Sequence, residues 1–250
     1  MPTRYEVIAV EGLPEIRHGD DLAPLIVEAA RRQATPLEAG DLVVVSQKIV
    51  SKTEGRLVRL SEVTPGPQAQ AIAEEIGRDP HLVEVILKES RRIVRKDKGV
   101  LIVETHHGFV CANAGVDQSN VDADTACLLP EDSDRSARAI RDRLRGLTGH
   151  GLAIIVADTF GRPWREGLVN VAVGLAGFEP IVSYLGQLDP AGHVLQATIL
   201  ALADELASAA EPVMGKLDRV PVVIIRGLHW EPGEGSSRAL LRDPARDLFR

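Results

Sequence analysis

An apolar run in the middle of the chain leads directly into side chains that suit a divalent cation. Residues 152–157 are consecutively apolar and are followed by Asp158 and Thr159. Carboxylate and hydroxyl oxygens are ligands that Mg²⁺ and Mn²⁺ accept. Arg162 and Arg165 come next, and their guanidinium groups suit phosphate or carboxylate. The residues alone give equal weight to a simpler structure, in which Asp158 ends a strand and caps a turn while both arginines are solvated.

A second polar and acidic cluster occupies residues 113–124, after a short β-rich run. Asp117 is a candidate for a second metal carboxylate, and Asn120 for a hydrogen bond to a base or ribose. The spacing does not match a calcium-binding EF-hand loop. For any one of these residues, an Asx-rich turn is a somewhat more frequent explanation than a binding role.

Two further segments carry groups that suit an anion. Residues 46–56 follow an apolar run and include Gln47, Lys48 and Lys52, whose ammonium groups offset phosphate charge in many proteins. Residues 12–21 form a turn before a helix, where free N–H groups face outward. Taken alone, the first segment is more often a solvated face and the second a capping turn.

Common catalytic motifs are missing from the sequence: no Walker loop, Rossmann fingerprint, nucleophile elbow or H-E-x-x-H zinc motif is found. Cys111 and Cys127 are too few for a disulfide framework or a zinc site, and we expect both to be buried. His106 and His107 are expected in a solvated turn.

The composition indicates a globular protein with one large domain or two closely joined subdomains. The chain has 250 residues, 44% of them hydrophobic, and a formal charge of −7. Aromatic residues make up only 3%, and the acidic balance disfavours a nucleic-acid partner. The sequence shows no export signal and no apolar run long enough to span a membrane. We therefore expect a cytoplasmic protein.

Alternating strand and helix patterns place these side chains on a mixed α/β or α+β fold. Strands are predicted at residues 5–10, 42–45, 100–103, 109–112, 152–157 and 220–225, from short β-branched runs. Helices are predicted at residues 22–30 with Asp20 as a possible N-cap, at 68–89 with a break near Gly77 and Pro80, at 133–147 and at 194–210.

Six segments together resemble the coenzyme F-420-0:L-glutamate ligases, also called F-420 gamma-glutamyl ligases. They are GLPEI with GDDL, SQKIVSKTEGR, NAGVDQSN, ADTFGRPWREG, VMGKLDRVPVVIIRG and RDLFR, in family order over essentially the whole chain. The resemblance implies a ligase unit over residues 1–250 with two subdomains, neither Rossmann nor P-loop. It also implies a homodimer, with 194–210 as a compatible interface, and the family form without a C-terminal nitroreductase-like domain.

The resemblance also assigns roles to individual residues. Metal ligands would be Asp117, Asp158 and Thr159, while Lys52 and Arg162 would offset charge in the transition state. In some relatives a second metal contact stands where this chain has Lys216, whose ammonium group cannot ligate a metal. A metal contact there would need a backbone carbonyl. The GTP site would comprise Leu13, Pro14, Glu15, Ile16, Gln47, Lys48, Lys52, Asn120, Met214, Gly215, Lys216, Leu217, Asp218, Arg219, Val220 and Pro221.

The implied reaction is GTP-dependent addition of L-glutamate to coenzyme F-420-0, and extension of the gamma-glutamyl tail, through an acyl phosphate. Its cofactors would be Mg²⁺ or Mn²⁺ in two sites, with K⁺ as a further candidate. Two other hypotheses use the same residues. One is a metal-dependent phosphohydrolase acting on a nucleotide or phosphorylated metabolite, and the other is a nucleotide-binding regulator without chemistry.

Overall fold

A mixed five-stranded sheet with helices on both faces dominates the computed structural model, which describes residues 4–247. The last three residues of the RDLFR segment, at 248–250, lie outside the described part. The helices are α1 (Leu22–Arg32), α2 (Gln47–Thr53), α3 (Pro67–Ile76), α4 (Pro80–Lys88), α5 (Ser133–Thr148) and α6 (Leu202–Met214). The strands are β1 (Glu6–Ala9), β2 (Leu42–Ser46), β3 (Leu57–Arg59), β4 (Ser90–Asp97), β5 (Val100–Thr105), β6 (Val110–Ala112), β7 (Thr125–Cys127), β8 (Ala153–Arg162), β9 (Arg165–Ala176), β10 (Val182–Ser183), β11 (Ile199–Leu200) and β12 (Val222–Arg226).

The large sheet has the strand order β1-β12-β2-β8-β9. Strands β2 and β8 are parallel, and the other neighbours are antiparallel. The central strands β2, β8 and β12 are buried on consecutive positions because α1 and α5 cover one face and α6 covers the other. The predicted mixed α/β fold and all six predicted strands are confirmed.

A separate cluster of buried apolar side chains lies around α3, α4 and β5. Strands β4, β5 and β6 form a small antiparallel sheet beside it, and β3 pairs with β7. Its members come from the chain between Leu60 and Leu128, whereas the two clusters on the large sheet come mostly from the flanking parts. The division of the chain into two subdomains stays a prediction.

The helix boundaries follow local capping chemistry. The predicted break near Gly77 and Pro80 is confirmed, because α3 ends at Gly77 in the left-handed conformation and Asp79 caps α4. The prediction of Asp20 as the N-cap of α1 is wrong by one residue. Asp21 accepts the capping hydrogen bond from the Ala23 N–H, whereas Asp20 accepts one from the Arg17 N–H in the preceding turn.

The prediction of a helix over residues 194–210 is wrong for its first half. Helix α6 begins only at Leu202, and residues 182–200 form an extended excursion with β10 paired to β11. An Asx turn at Asp189, which accepts hydrogen bonds from the Ala191 and His193 N–H groups, starts the return of this segment. Backbone pairing therefore overrides the apolar periodicity, and Val194 is exposed.

The prediction of a solvated turn at His106 and His107 is wrong for His107. This side chain is half-buried, and its Nε2–H donates to the Pro130 carbonyl at 2.8 Å. Cys111 and Cys127 are both buried and free, as predicted. Within residues 4–247, the structure contains no helix whose length and apolar character would let it cross a bilayer.

A buried ion pair ties the start of β2 to the end of β12. Asp41 is 1% exposed and accepts hydrogen bonds from Arg226 Nε at 2.9 Å and Nη2 at 2.7 Å. The Glu38 N–H also donates to Asp41 at 2.8 Å, and the Asp41 hydrogen bonds raise the pKa of Arg226. This bidentate arrangement fixes the register of two central strands.

We predict that Asp41→Ala lowers the free energy of unfolding by about 3 kcal/mol, because it leaves the Arg226 guanidinium half-buried without its main partner. Urea unfolding measures this change. The control is Glu38→Ala, which removes an exposed partner of the same arginine and should cost less than about 1 kcal/mol. Equal losses in the two variants would contradict the role assigned to the buried pair.

Candidate functional site

Strand β8 carries Asp158 and Thr159 to the edge of the sheet where β2 ends. The pairing of β2 with β8 stops at Ser46 and Ala157, so Asp158 is the first residue of β8 beyond that pair. The strand then continues to Arg162, paired with β9. Asp158 thus lies where β2 ends, but the prediction that its own strand also ends there is wrong, because β8 continues to Arg162. The alternative, in which Asp158 ends its strand and caps a turn, is wrong.

Asp117 is positioned by a loop that doubles back after β6. Its N–H and carbonyl pair with Cys127 as an isolated bridge, at 3.0 and 2.8 Å. Its carboxylate accepts hydrogen bonds from the Ser119 N–H and Oγ, both at 2.7 Å. Asn113 and Ala114 adopt left-handed backbone conformations that make this reversal possible. The side chain of Asp117 is therefore fixed by its own loop.

The pKa values of the two carboxyl groups are shifted in opposite directions, and hydrogen bonds from Lys48 and Ser119 lower that of Asp117 against the effect of burial. Partial burial raises the pKa of Asp158 to about 6, and the charge of Asp117 raises it further against the lowering effect of Lys48 and Lys216. Cys111 lies behind Asp158, and burial together with the Asp158 charge raises the pKa of its thiol to about 12. A cation bound beside both carboxylates would reduce the repulsion between them.

Each of two predicted metal side chains is hydrogen-bonded to a lysine. Lys48 Nζ lies 2.6 Å from Asp117 Oδ2 and also donates to the Ser119 carbonyl at 2.8 Å. Lys216 Nζ donates to Thr159 Oγ1 at 2.8 Å. The ammonium groups thus lie where positive charge offsets the acidic edge.

The assignment of Asp117, Asp158 and Thr159 as metal ligands stays a prediction. A Mg²⁺ ion held there would take its remaining ligands from phosphate oxygens and water, a common arrangement for this ion. Among residues 4–247, no three His, Cys, Asp or Glu side chains are grouped in a way that could hold a metal ion by themselves. The protein would therefore supply two carboxylates, and the substrate would complete the shell.

Three of the four segments predicted to bind GTP meet near this edge, and the fourth is the loop that carries Asp117 and Asn120. Glu15 accepts a hydrogen bond from Lys52 Nζ at 2.5 Å. That hydrogen bond, with the charges of Lys52, Arg219 and Arg17, lowers the pKa of Glu15. The Ser46 N–H donates to the Pro221 carbonyl at 2.8 Å. Residues 12–16, helix α2 and the loop before β12 are thereby brought together.

Several predicted site residues have their side chains engaged elsewhere. Gln47 is buried, and its amide donates to Ser51 Oγ at 2.6 Å and to the Leu128 carbonyl at 2.8 Å. Arg162 donates to backbone carbonyls of its own hairpin, including that of Glu166. Their predicted roles at GTP and in the transition state are untested and stay predictions.

The remaining predicted GTP residues divide by exposure. Ile16 and Met214 belong to the core, and Leu13 packs against it. The others lie in accessible or partly accessible loops and on α2: Pro14, Glu15, Lys48, Lys52, Asn120, Gly215, Lys216, Leu217, Asp218, Arg219, Val220 and Pro221. Because the side chains of Ile16 and Met214 are buried, only the backbone groups of these two residues are suited to contact a nucleotide.

Two residues that contact Thr159 or Lys216 have no predicted role. Asn170 is buried on β9 directly opposite Thr159 and accepts its hydroxyl proton at 2.8 Å. Glu211, near the end of α6, pairs with Lys216 at 2.7 Å. Asn170 is an amide among the apolar residues 168–173, but this signal is usable only once β9 is recognised as a strand. No sequence pattern indicates a role for Glu211, because its partner Lys216 follows the turn that ends α6.

Known proteins are similar in sequence to this chain over almost its whole length. Residues 12–227 match the family described as F420-0:Gamma-glutamyl ligase. The Coenzyme F420:L-glutamate ligase of Methanothermobacter thermautotrophicus is 49% identical over 247 residues, covering 98% of each chain. Those of Methanopyrus kandleri and Methanocaldococcus jannaschii are 47% and 40% identical, and this chain covers 99% and 97% of their lengths. The chain belongs to the F420-0:gamma-glutamyl ligase family.

Proposed function

We propose that this protein is a GTP-dependent ligase that attaches L-glutamate to coenzyme F-420-0 and extends the gamma-glutamyl tail. One observation carries the proposal. The paired carboxylates of Asp117 and Asp158 lie beside the lysine-bearing helix α2, where the other two segments predicted to bind GTP also converge. The names of the relatives support the same acceptor and the same amino acid.

The chemistry explains why a triphosphate is needed. A carboxylate is a poor electrophile because it carries negative charge, so an amine does not displace its oxygen. The terminal carboxylate of F-420-0 would attack the γ-phosphorus of GTP, forming an O–P bond and releasing GDP. The glutamate nitrogen would then attack the acyl carbon, form the C–N bond and release phosphate and a proton. Charge compensation and positioning, rather than a protein nucleophile, are what this reaction requires.

A divalent cation held by Asp117 and Asp158, Mg²⁺ or Mn²⁺, would neutralise phosphate oxygens during transfer. Lys48 and Lys52 are suited to the remaining charge. Each is now paired with a carboxylate, Asp117 or Glu15, at 2.6 and 2.5 Å. A phosphate group can take over either ammonium without a change of fold, because both lysines project from the rigid helix α2.

Three further features belong to the proposal. We infer a homodimer, which the exposed apolar side chains Leu188, Val194 and Ile199 favour. We also infer a cytoplasmic location and leave K⁺ as a candidate activator. Arg162 would act at the phosphates only after releasing the backbone carbonyls of its hairpin.

We predict that the protein, mixed with GTP, Mg²⁺ or Mn²⁺, L-glutamate and F-420-0, yields a product heavier by one or more glutamyl units. Mass spectrometry of the coenzyme measures this, and phosphate release should require both acceptor and glutamate. Phosphate release without a glutamyl increment would favour the phosphohydrolase. GTP binding without any turnover would favour a regulator.

We predict that Asp158→Asn lowers the turnover number by at least about a hundredfold, because the cation loses one of its two protein carboxylates. Asp142→Asn on the exposed face of α5 is the matched control and should keep wild-type turnover. Steady-state phosphate release with both substrates measures the difference. Near-normal turnover of the Asp158 variant would remove this residue from the site.

We predict that the same Asp158→Asn change stabilises the metal-free protein at about pH 7.5, by about 1–3 kcal/mol. The raised pKa of about 6 means that ionising Asp158 above that pH costs folding free energy. At a pH below about 4, the pKa of an aspartate in the unfolded chain, the carboxyl is neutral in both the folded and the unfolded state. The stabilisation by Asp158→Asn then disappears. Urea unfolding at about pH 7.5 and at a pH below about 4 measures this change. An equal effect at both pH values would contradict the assigned cost of ionising Asp158, which comes first from burial and then from the charge of Asp117.

A further inference from the structure

The ammonium group of Lys216 bridges two oxygen atoms at the edge of β8, although its side chain is 58% exposed. Its Nζ donates to Thr159 Oγ1 at 2.8 Å and lies 2.7 Å from Glu211 Oε1. The two partners come from different elements, because Thr159 is on β8 and Glu211 is near the end of α6. Lys216 thus joins the acidic edge to the helix that covers the other face of the sheet.

The Thr159 hydroxyl takes part in two hydrogen bonds, one through its proton and one through a lone pair. It donates to Asn170 Oδ1 at 2.8 Å across the β8–β9 pair. Asn170 is 4% exposed and its amide nitrogen contacts the Met214 sulfur, so this partner is fixed by burial. With the proton directed at Asn170, a hydroxyl lone pair is presented to Lys216. A cation ligand would have to use the same oxygen.

The backbone before Lys216 keeps the lysine in place. Gly215 ends α6 with a φ of 58°. With a ψ of −177°, this backbone conformation is one that essentially only glycine adopts. The chain therefore leaves α6 along a restricted path, and Lys216 is directed toward Thr159 by local geometry as well as by its hydrogen bonds.

We propose that Lys216 takes the place of a second divalent cation beside Thr159, so that the nucleotide-loaded protein binds one divalent cation only, at Asp117 and Asp158. This inference rests on the proposed function, since it concerns the charge available to the same triphosphate. The ammonium supplies one fixed positive charge that does not exchange with solvent ions. Glu211 and Thr159 are oxygen donors that become available to a metal when the lysine is removed.

The test counts Mn²⁺ ions bound per protein chain by equilibrium dialysis and electron paramagnetic resonance, at a saturating concentration of a non-hydrolysable GTP analogue. The wild type is expected to bind one Mn²⁺, and Lys216→Gln two. The double variant Lys216→Gln with Glu211→Gln should return to one. Lys98→Gln, in the turn between β4 and β5, is the matched control and should bind one.

The outcomes distinguish failure of this inference from failure of the proposed function. Two Mn²⁺ ions in the wild type, or only one in Lys216→Gln, overturn the role of Lys216 and leave the Asp117–Asp158 site standing. No bound Mn²⁺ in the wild type overturns that site and the inference with it. Circular dichroism confirms that each variant is folded, and Lys216→Met, which also removes the charge, replaces any glutamine variant that is not.

Discussion

The desolvation of Asp158 at one edge of the sheet, beside a second carboxylate, is the constraint around which the site is built. Asp158 is half-buried, and the nearby charge of Asp117 adds to the cost of ionising it. Lys48 and Lys216 offset part of that cost. Carboxylates and ammonium groups thus alternate at this edge, which suits the uptake of a cation together with a phosphate.

The topology of the sheet explains why this edge collects the site. Strands β2 and β8 run parallel and β12 runs antiparallel to β2, so the end of β2, the middle of β8 and the start of β12 lie side by side. Helix α2 begins directly after β2, and the loop following α6 enters β12 at the same place. Lys48 and Lys216 therefore approach Asp158 from two segments that lie far apart in the sequence.

The sequence predicts those features that depend on short-range patterns. The runs that form β2, β8 and β12 are consecutively apolar, and their burial on both faces was predictable for that reason. The capping of α4 and the end of α3 follow from Asp79, Pro80 and Gly77. The family resemblance added the convergence of Asp117 with Asp158, which composition and spacing alone left open.

Features that depend on tertiary contacts were beyond the sequence. Strand β9 went unrecognised because Gly167, Asn170 and Gly174 interrupt its β-branched pattern, and it forms only as the partner of β8. The segment at 194–200 has helical periodicity but pairs as an extended chain. Gln47 looked accessible beside two lysines, yet a long-range hydrogen bond to the Leu128 carbonyl holds it inside. Each failure is a case in which a distant partner determines the local structure.

Anomalous diffraction at the manganese edge, from crystals grown with Mn²⁺ and a non-hydrolysable GTP analogue, tests the electrostatic account most directly. The account predicts an anomalous peak between the carboxylates of Asp117 and Asp158, with Lys48 Nζ moved from Asp117 to a phosphate oxygen. A metal located elsewhere, with the Lys48–Asp117 pair intact beside a bound nucleotide, would contradict it.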